Sequence, residues 1–502
     1  MAGLLSDSEL SSLSPAELCP HRTPIPTQIV SSDEYYPSPQ NARQCEVEAR
    51  LLAMADGLAS RTGLSRRRFF QTASGMAAAF VAMNEVYGAL FDASRAEAAT
   101  PDQAQARANG LKDQFIMDMH THFLRDDTRL TGFVAMRTAV GRAGWNKALT
   151  DKEQTIEDLK FENYKKEMFL DSDTKIALIS SAPSEIQQDW FLTNAQMAEA
   201  REKVNREAGY RRLFAHAIFT PGRPGWLEDL DAALVLKPES CKGYTVGDNT
   251  HKELSKYPWR MDDEKVTYRG YERMLKAGIR NVCVHKGLFP PSVERQFPHL
   301  VRYADVSDVG QAAKDWPQLN FIIYHSAYRH VGGDPAVALA EFERTGRIAW
   351  TSDLADIPEK YGVRNVYGDL GQIFATTLIA QPRTCAALMG ILIRGLGADR
   401  VTWGTDALWT GSPQWQIEGL RRLEIPEDMQ KTYGFAPLGP ARGAVKTAIF
   451  SGNNARLYGI DKIKATMEVQ QDRFAALKRD YENVGANPSN LRYGYINTGT
   501  LG

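Results

Sequence analysis

Eight short runs of β-branched, aromatic and aliphatic residues recur between residues 113 and 406, separated by stretches of helical character, and this alternation most constrains the fold. The runs are Phe115 to His120, Lys175 to Ser180, Leu213 to Phe219, Cys241 to Val246, Asn281 to His285, Asn320 to His325, Asn365 to Asp369 and Arg400 to Asp406. Near-continuous apolar runs bounded by polar or Gly residues read as buried parallel strands, not half-exposed alternating ones. Helical patterns fall between them at Trp190 to Glu207, Tyr271 to Ala277, Pro335 to Arg344 and Ile373 to Leu396. Asp334 ahead of Pro335 supplies a cap followed by proline at the first helical position. Eight strands with helical crossovers predict an α/β fold, a (β/α)8 TIM barrel of the usual size of about 250 residues or more. A chain of 502 residues, 43% of them hydrophobic, is long and apolar enough to build one.

Several of these runs end in metal-ligating residue types. Asp118-Met119-His120-Thr121-His122 closes the first run, and alternation along a strand turns His120 and His122 to the same side, where they can share one ion. His285 closes the fifth run, His325 the sixth and Asp406 the eighth. In a barrel the C-terminal strand ends converge on one mouth, the place where such barrels carry their chemistry. Neutral imidazole and carboxylate suit a divalent ion, zinc above all, with a position left for water.

The first hundred residues differ in character. Residues 1–64 are polar and interrupted by Pro20, Pro24, Pro26, Pro37 and Pro39, which predicts a loosely structured extension. Residues 65–98 carry Ser65-Arg66-Arg67-Arg68-Phe69-Phe70-Gln71, a weakly apolar stretch from Thr72 to Leu90 and Ala96-Glu97-Ala98. Paired arginines, an apolar stretch and a small-residue cleavage site predict a twin-arginine export signal. The alternative is a basic-headed helix packed on the domain. Asn84 and Glu85 interrupt the apolar stretch, so it falls short of the roughly 20 apolar residues a membrane span requires. The expected partner is the twin-arginine export machinery and the expected location periplasmic; without a functional signal the protein would stay cytoplasmic. The barrel is expected over residues 113–460, and a C-terminal helix and tail over 461–502.

Sixty basic and 61 acidic residues give a net charge of −1, which leaves no electrostatic footprint for nucleic acid or an anionic membrane and favours a small-molecule substrate. Only Cys241, Cys283 and Cys385 lie beyond the signal-like segment. Three widely spaced cysteines form neither a disulfide framework nor a zinc cluster.

D-M-H-T-H at 118–122, V-H-K-G at 284–287, Y-H-S-A at 324–327, G-T-D-A-L-W at 404–409 and S-G-N-N-A-R-L-Y-G-I at 451–460 together resemble the amidohydrolase superfamily. The resemblance is to its amidohydrolase-related branch, which includes enzymes similar to aminocarboxymuconate-semialdehyde decarboxylase. It implies one divalent metal, zinc in the usual case, held by His120, His122, His285 and Asp406. Asp406 is then the catalytic base and His325 an acid/base or further ligand. Binuclear relatives place a carboxylated lysine after the fourth strand. Cys241-Lys242-Gly243-Tyr244-Thr245 does not read as that motif, and Lys242 is expected to be a polar residue near the strand start.

The resemblance implies a metal-dependent hydrolase attacking an amide, ester or lactone carbonyl. The alternatives are a non-oxidative decarboxylase for an aromatic or unsaturated acid, and an inactive exported binding protein, which the five intact ligand positions argue against. Arg329 and Trp409 are candidate substrate-binding residues, and Trp226, Trp259 and Trp415 are read as loop residues. His216, inside the third run, is expected to be a satisfied core histidine. Long connections at about 247–270 and 407–445 are candidate lids, and the second could instead cover a homo-oligomer interface.

Overall fold

The computed structural model describes residues 23–28, 39–143, 155–332 and 334–486. Eight parallel strands follow one another in chain order: β1 (Met117–Thr121), β2 (Ile176–Ile179), β3 (Leu213–Phe219), β4 (Ser240–Tyr244), β5 (Asn281–His285), β6 (Asn320–Tyr324), β7 (Val366–Asp369) and β8 (Val401–Thr402). The sheet closes on itself, because the Met119 N–H donates to the Trp403 carbonyl at 3.1 Å and the Asp406 N–H to the His120 carbonyl at 2.8 Å. A parallel bridge between Thr121 and Ala407 completes the seam. This is the expected (β/α)8 TIM barrel. Nearly every strand residue is buried, as continuous apolar runs require.

The closing motif has a structural task at this seam. Asn454 Nδ2 donates to the carbonyls of Met117 and Trp403 at 2.8 and 3.0 Å, and Asn453 Nδ2 to those of Ala398 and Val401. Two side-chain amides thus tie β1, β8 and the residues flanking β8 together at the seam. The pattern read as one helix from Ile373 to Leu396 is two helices, Ile373–Ala380 and Pro382–Leu396. Pro382 lacks an N–H to continue the first, but is well placed to start the second.

The amino-terminal region departs from expectation. Residues 42–62, expected to be loose, form helix α1 (Ala42–Thr62), opened by a capping box in which Asn41 and Gln44 bond each other's backbone N–H. The core of the signal-like segment forms α2 (Ala73–Tyr87), in which Ala77, Ala78, Ala79 and Phe80 have no exposed surface.

The segment that follows α2 meets the end of α3 (Gln414–Arg422), inside the connection expected to be a lid. Phe91 pairs with Leu423 in an antiparallel bridge, flanked by hydrogen bonds from Asp92 N–H to the Arg422 carbonyl and from Glu424 N–H to the Leu90 carbonyl. The buried Arg422 guanidinium makes two bonds to Glu97, at 2.7 and 3.1 Å. Residues 413–424 thus carry the amino-terminal segment. Among the described residues no helix is long and apolar enough to cross a membrane.

Candidate metal centre at the barrel mouth

His120 and His122 project from the end of β1 into the barrel mouth, and both Nε2 atoms converge on one carboxylate oxygen. Asp406 Oδ1 lies 3.0 Å from His120 Nε2 and 3.2 Å from His122 Nε2. His325 packs beside them, its ring 4.9 Å from that of His120, and the His285 ring lies 4.5 Å from His325. All five side chains are buried. The ligating atoms of His120, His325 and Asp406 lie within 4.8 Å of one another, a spacing that one cation could bridge. His325 therefore stands inside the cluster as closely as the residues that the resemblance named as ligands.

The outer ring nitrogens explain why these atoms converge. His122 Nδ1 faces the Ser180 carbonyl at 3.1 Å, and His325 Nδ1 faces the Gly371 carbonyl at 3.0 Å. A carbonyl only accepts, so each Nδ1 carries the proton and each Nε2 presents a lone pair. Burial pushes His122 down to about 4 and holds His285 and His325 well below the usual histidine range. They are neutral imidazoles, the form that binds metal. Burial also opposes charge on His120, but the carboxylates of Asp406 and Asp369 outweigh it and raise its pKa. Burial opposes charge on Asp406 too, yet His120 and His122 hold its carboxyl well below the ordinary range.

The Nε2 atoms of His120, His285 and His325 are buried without a hydrogen-bond partner in the protein. Orphaned buried acceptors are costly. Those of His120 and His325 lie beside the Asp406 carboxylate and fit a divalent cation, whereas His285 stands outside that group of three; the N and O donors suit zinc.

Asp369, at the end of β7, is a site residue that the sequence reading missed. Its Oδ2 accepts from His120 Nδ1 at 2.8 Å and from the Gly371 N–H at 2.9 Å, fixing the imidazole as carboxylates behind metal-binding histidines do. It closes a predicted strand, the same signal that marked His285 and His325. Asp118 works differently: its carboxyl takes the Thr405 hydroxyl and N–H at 2.5 and 3.0 Å, tying β1 to the turn that carries Asp406, and burial pushes it up to about 7.

Backbone strain concentrates here as well. His325, Ser326, Ala327 and Asp406 all have positive φ, at 60°, 41°, 55° and 64°, a conformation that costs non-glycine residues on the order of 1–3 kcal/mol each.

Lys242 differs from its expected place. It lies mid-strand in β4, fully buried, with Nζ 3.3 Å from the centre of the Tyr324 ring. The alternation of β4 turns it inward, and its charge helps hold His216, His285 and His325 in their neutral forms. His216 is the satisfied core histidine it was expected to be, bonded at 2.8 Å to both Ser240 Oγ and Tyr324 Oη.

Trp409 stacks on His122 with ring centres 5.2 Å apart and planes 20° from parallel, and Phe133 and Phe191 meet it edge-on. Its indole N–H is buried without a partner. Arg329 is engaged elsewhere: its guanidinium pairs with Glu294, bonds the Phe289 carbonyl at 3.4 Å and lies over Trp350. Trp226 and Trp415, read as loop residues, lie in helices Trp226–Val235 and α3.

The closed barrel gathers histidines and an aspartate at its C-terminal mouth, where His120, His325 and Asp406 could hold one cation. A family model described as amidohydrolase matches residues 117–460, and the chain belongs to that family. No curated protein gives a significant match. Among solved structures it is similar to a 2,6-dihydroxybenzoate decarboxylase from Rhizobium (15% identity, 69% of this chain and 99% of that one, TM-score 0.38). It is also similar to an amidohydrolase from Burkholderia multivorans (15% identity, 69% and 99%, TM-score 0.40). A third is a probable 2-pyrone-4,6-dicarboxylic acid hydrolase from Acinetobacter baumannii (12% identity, 69% and 99%, TM-score 0.37).

Proposed function

We propose that the protein is a metal-dependent hydrolase that cleaves an amide, ester or lactone of a small-molecule substrate. In this reading one zinc ion is held by His120, His122, His285 and Asp406, with His325 beside it. The observation that carries the reading is the convergence of both β1 histidines on Asp406 Oδ1, at 3.0 and 3.2 Å, amid orphaned imidazole nitrogens. When bound, such a cation polarises a carbonyl and brings the pKa of water towards about 7.

The side chains supply the rest. Asp406, held ionised by its histidine neighbours, accepts a proton from the attacking water and returns it to the departing nitrogen or oxygen as its bond to the carbonyl carbon breaks. His325 is neutral with a bare Nε2, so it acts first as a proton acceptor and can donate only after taking one up. Burial of the cluster keeps bulk water out and strengthens each of these interactions. The unpartnered indole N–H of Trp409 offers the substrate a hydrogen bond.

One observation favours a second reading. Phe133, Phe191 and Trp409 form an aromatic wall beside His122, which suits the flat body of an aromatic or unsaturated acid and therefore a decarboxylase. Product analysis with metal-loaded protein separates the two. An acid plus an alcohol or amine supports the hydrolase, and released carbon dioxide supports the decarboxylase. Bound metal without turnover across amides, esters, lactones and aromatic acids would leave a binding protein.

The proposal extends to delivery by the twin-arginine route to the periplasm. Arg67 and Arg68 are exposed and Arg66 is partly so, whereas Phe69 and Phe70 are buried. Cell fractionation tests it: protein confined to the cytoplasm would refute export.

A further inference from the structure

The opposite end of the barrel holds a second cavity, of about 360 Å³, outside the histidine cluster. It lies where β1, β2 and β3 begin and is walled by helix α4 (Arg473–Asn483). Its volume falls in the range of small-molecule sites, about 300–1,000 Å³.

The charges on its wall do not cancel. Lys112 pairs with Glu482, Arg212 with Asp472, and Asp113 with Arg442. Lys175 makes no ion pair among the described residues, and Lys478 makes only a long one, to Asp173 Oδ1. Lys175 Nζ donates to the Lys112 carbonyl at 3.0 Å, and Lys478 Nζ donates to the Ser172 carbonyl. The nearest carboxylate to Lys478 is Asp173 at 3.7 Å, which Arg421 already holds at 2.8 Å. Arg479, exposed at the rim, makes no ion pair among the described residues. Burial and the neighbouring cations Lys478, Arg212 and Arg421 push Lys175 down to about 8. Two further features point to a ligand. Thr174, 2% exposed, is among the cavity's lining residues, and its buried hydroxyl has no hydrogen-bond partner. Phe169, Phe474 and Val469 supply a buried apolar wall on the other side.

We infer that this cavity binds a small organic anion, its carboxylate or similar head between Lys175, Lys478 and the Thr174 hydroxyl and its apolar body against Phe169 and Phe474. A charge-assisted hydrogen bond to a partly buried ammonium is among the stronger single contacts, and the apolar wall adds burial that an inorganic anion cannot use. The inference does not depend on which reaction the metal centre performs.

Calorimetric titration with benzoate and with inorganic phosphate tests it, on the full chain and on Lys175→Met. Benzoate is expected to bind with an affinity about tenfold or more weaker in Lys175→Met, because one charge-assisted contact is lost. Phosphate is expected to bind more weakly than benzoate. Thr174→Val and the surface change Arg479→Ala, which leaves the core intact, are each expected to weaken benzoate by a few fold, so the test survives if Lys175→Met fails to fold. Benzoate binding unaffected by all three substitutions would place the ligand elsewhere, in the histidine cluster, and overturn the inference. So would phosphate binding as tightly as benzoate, or no binding of either.

Discussion

Asp369 Oδ2 stands 2.8 Å from Nδ1 of His120 and accepts the Gly371 N–H as well, so one carboxylate on β7 sets the ring orientation of a metal-site histidine on β1. Removing such a partner behind a ligand typically costs 10–100-fold in metal affinity or activity. Asp369→Ala is therefore expected to weaken zinc binding by about tenfold to a hundredfold while the fold persists, read by competition with a chromophoric chelator. Unchanged affinity would show that His120 needs no such support.

The same contact explains a glycine. A Cβ on Gly404 would run into Asp369 Oδ1 and the Cβ of His120, and neither can retreat within a buried seam. Gly404→Ala should displace this pair and cut activity by about tenfold or more, with a smaller loss of stability, measured by turnover alongside thermal unfolding. A variant as active as the parent would mean that the seam is looser than its packing indicates.

Metal content gives the most direct check on the centre. Protein purified without added metal should carry one equivalent of divalent ion by elemental mass spectrometry, and His120→Ala combined with His122→Ala should carry none. Two equivalents in the parent would turn attention to buried Lys242 as a bridging group.

Lys286, from the V-H-K-G motif, is fully buried and donates to both oxygens of Asp308 at 2.8 and 2.9 Å. Asp308→Ala leaves an ammonium buried without its carboxylate, a change worth about 3–5 kcal/mol. Urea unfolding should show a midpoint lowered accordingly. A shift under about 1 kcal/mol, the scale of an exposed pair, would contradict the burial of this pair.

Burial opposes charge on Asp173 and Glu418, but the Arg421 guanidinium between them overrides it and holds both carboxyls below their usual range. A carboxylate whose pKa is depressed by folding contributes stability that is present above its unfolded value, about 4, and lost as pH falls through the folded value. The stability gap between wild type and Asp173→Asn should therefore be widest near neutrality and narrow below about pH 4. Unfolding free energies across that range decide it, and a gap independent of pH would remove the assignment.

Glu97 is the carboxylate that Arg422 meets inside the interface between the amino-terminal segment and the barrel. Glu97→Ala should cost about 1–3 kcal/mol, because Arg422 loses two charge-assisted bonds but keeps Glu418 at 3.3 Å. Processing after Ala98 would remove Glu97 together with α2, so intact mass of protein from its native host shows whether the segment is kept. A mass retaining residues 65–98 accords with the packing, and a chain starting at Ala99 would leave Arg422 with Glu418 as its one carboxylate among the described residues.

Local chemistry made much of the barrel legible in the sequence. Continuous apolar runs can be satisfied only where both faces of a strand are covered, and their spacing left room for a helix between each pair. Ligand-type residues at the ends of those runs located His120, His122, His285, His325 and Asp406, because parallel strands bring their C-terminal ends to one mouth. What the sequence left open depends on contacts between residues far apart in the chain. Asp369 supports His120 across 249 positions, Lys242 faces inward only because the register of β4 turns it there, and Arg329 is diverted by Glu294 in the helix Pro291–Gln296. The segment from 65 to 98 reads as a leader by composition, yet its apolar residues are buried because α1 and the short helices after it pack around them, and Arg422 presents a charge for Glu97. Periodicity determines secondary structure and the order of strands, since it reports which faces must leave water. Partnership between side chains was decided only when the tertiary structure closed the barrel and packed the rest of the chain against it.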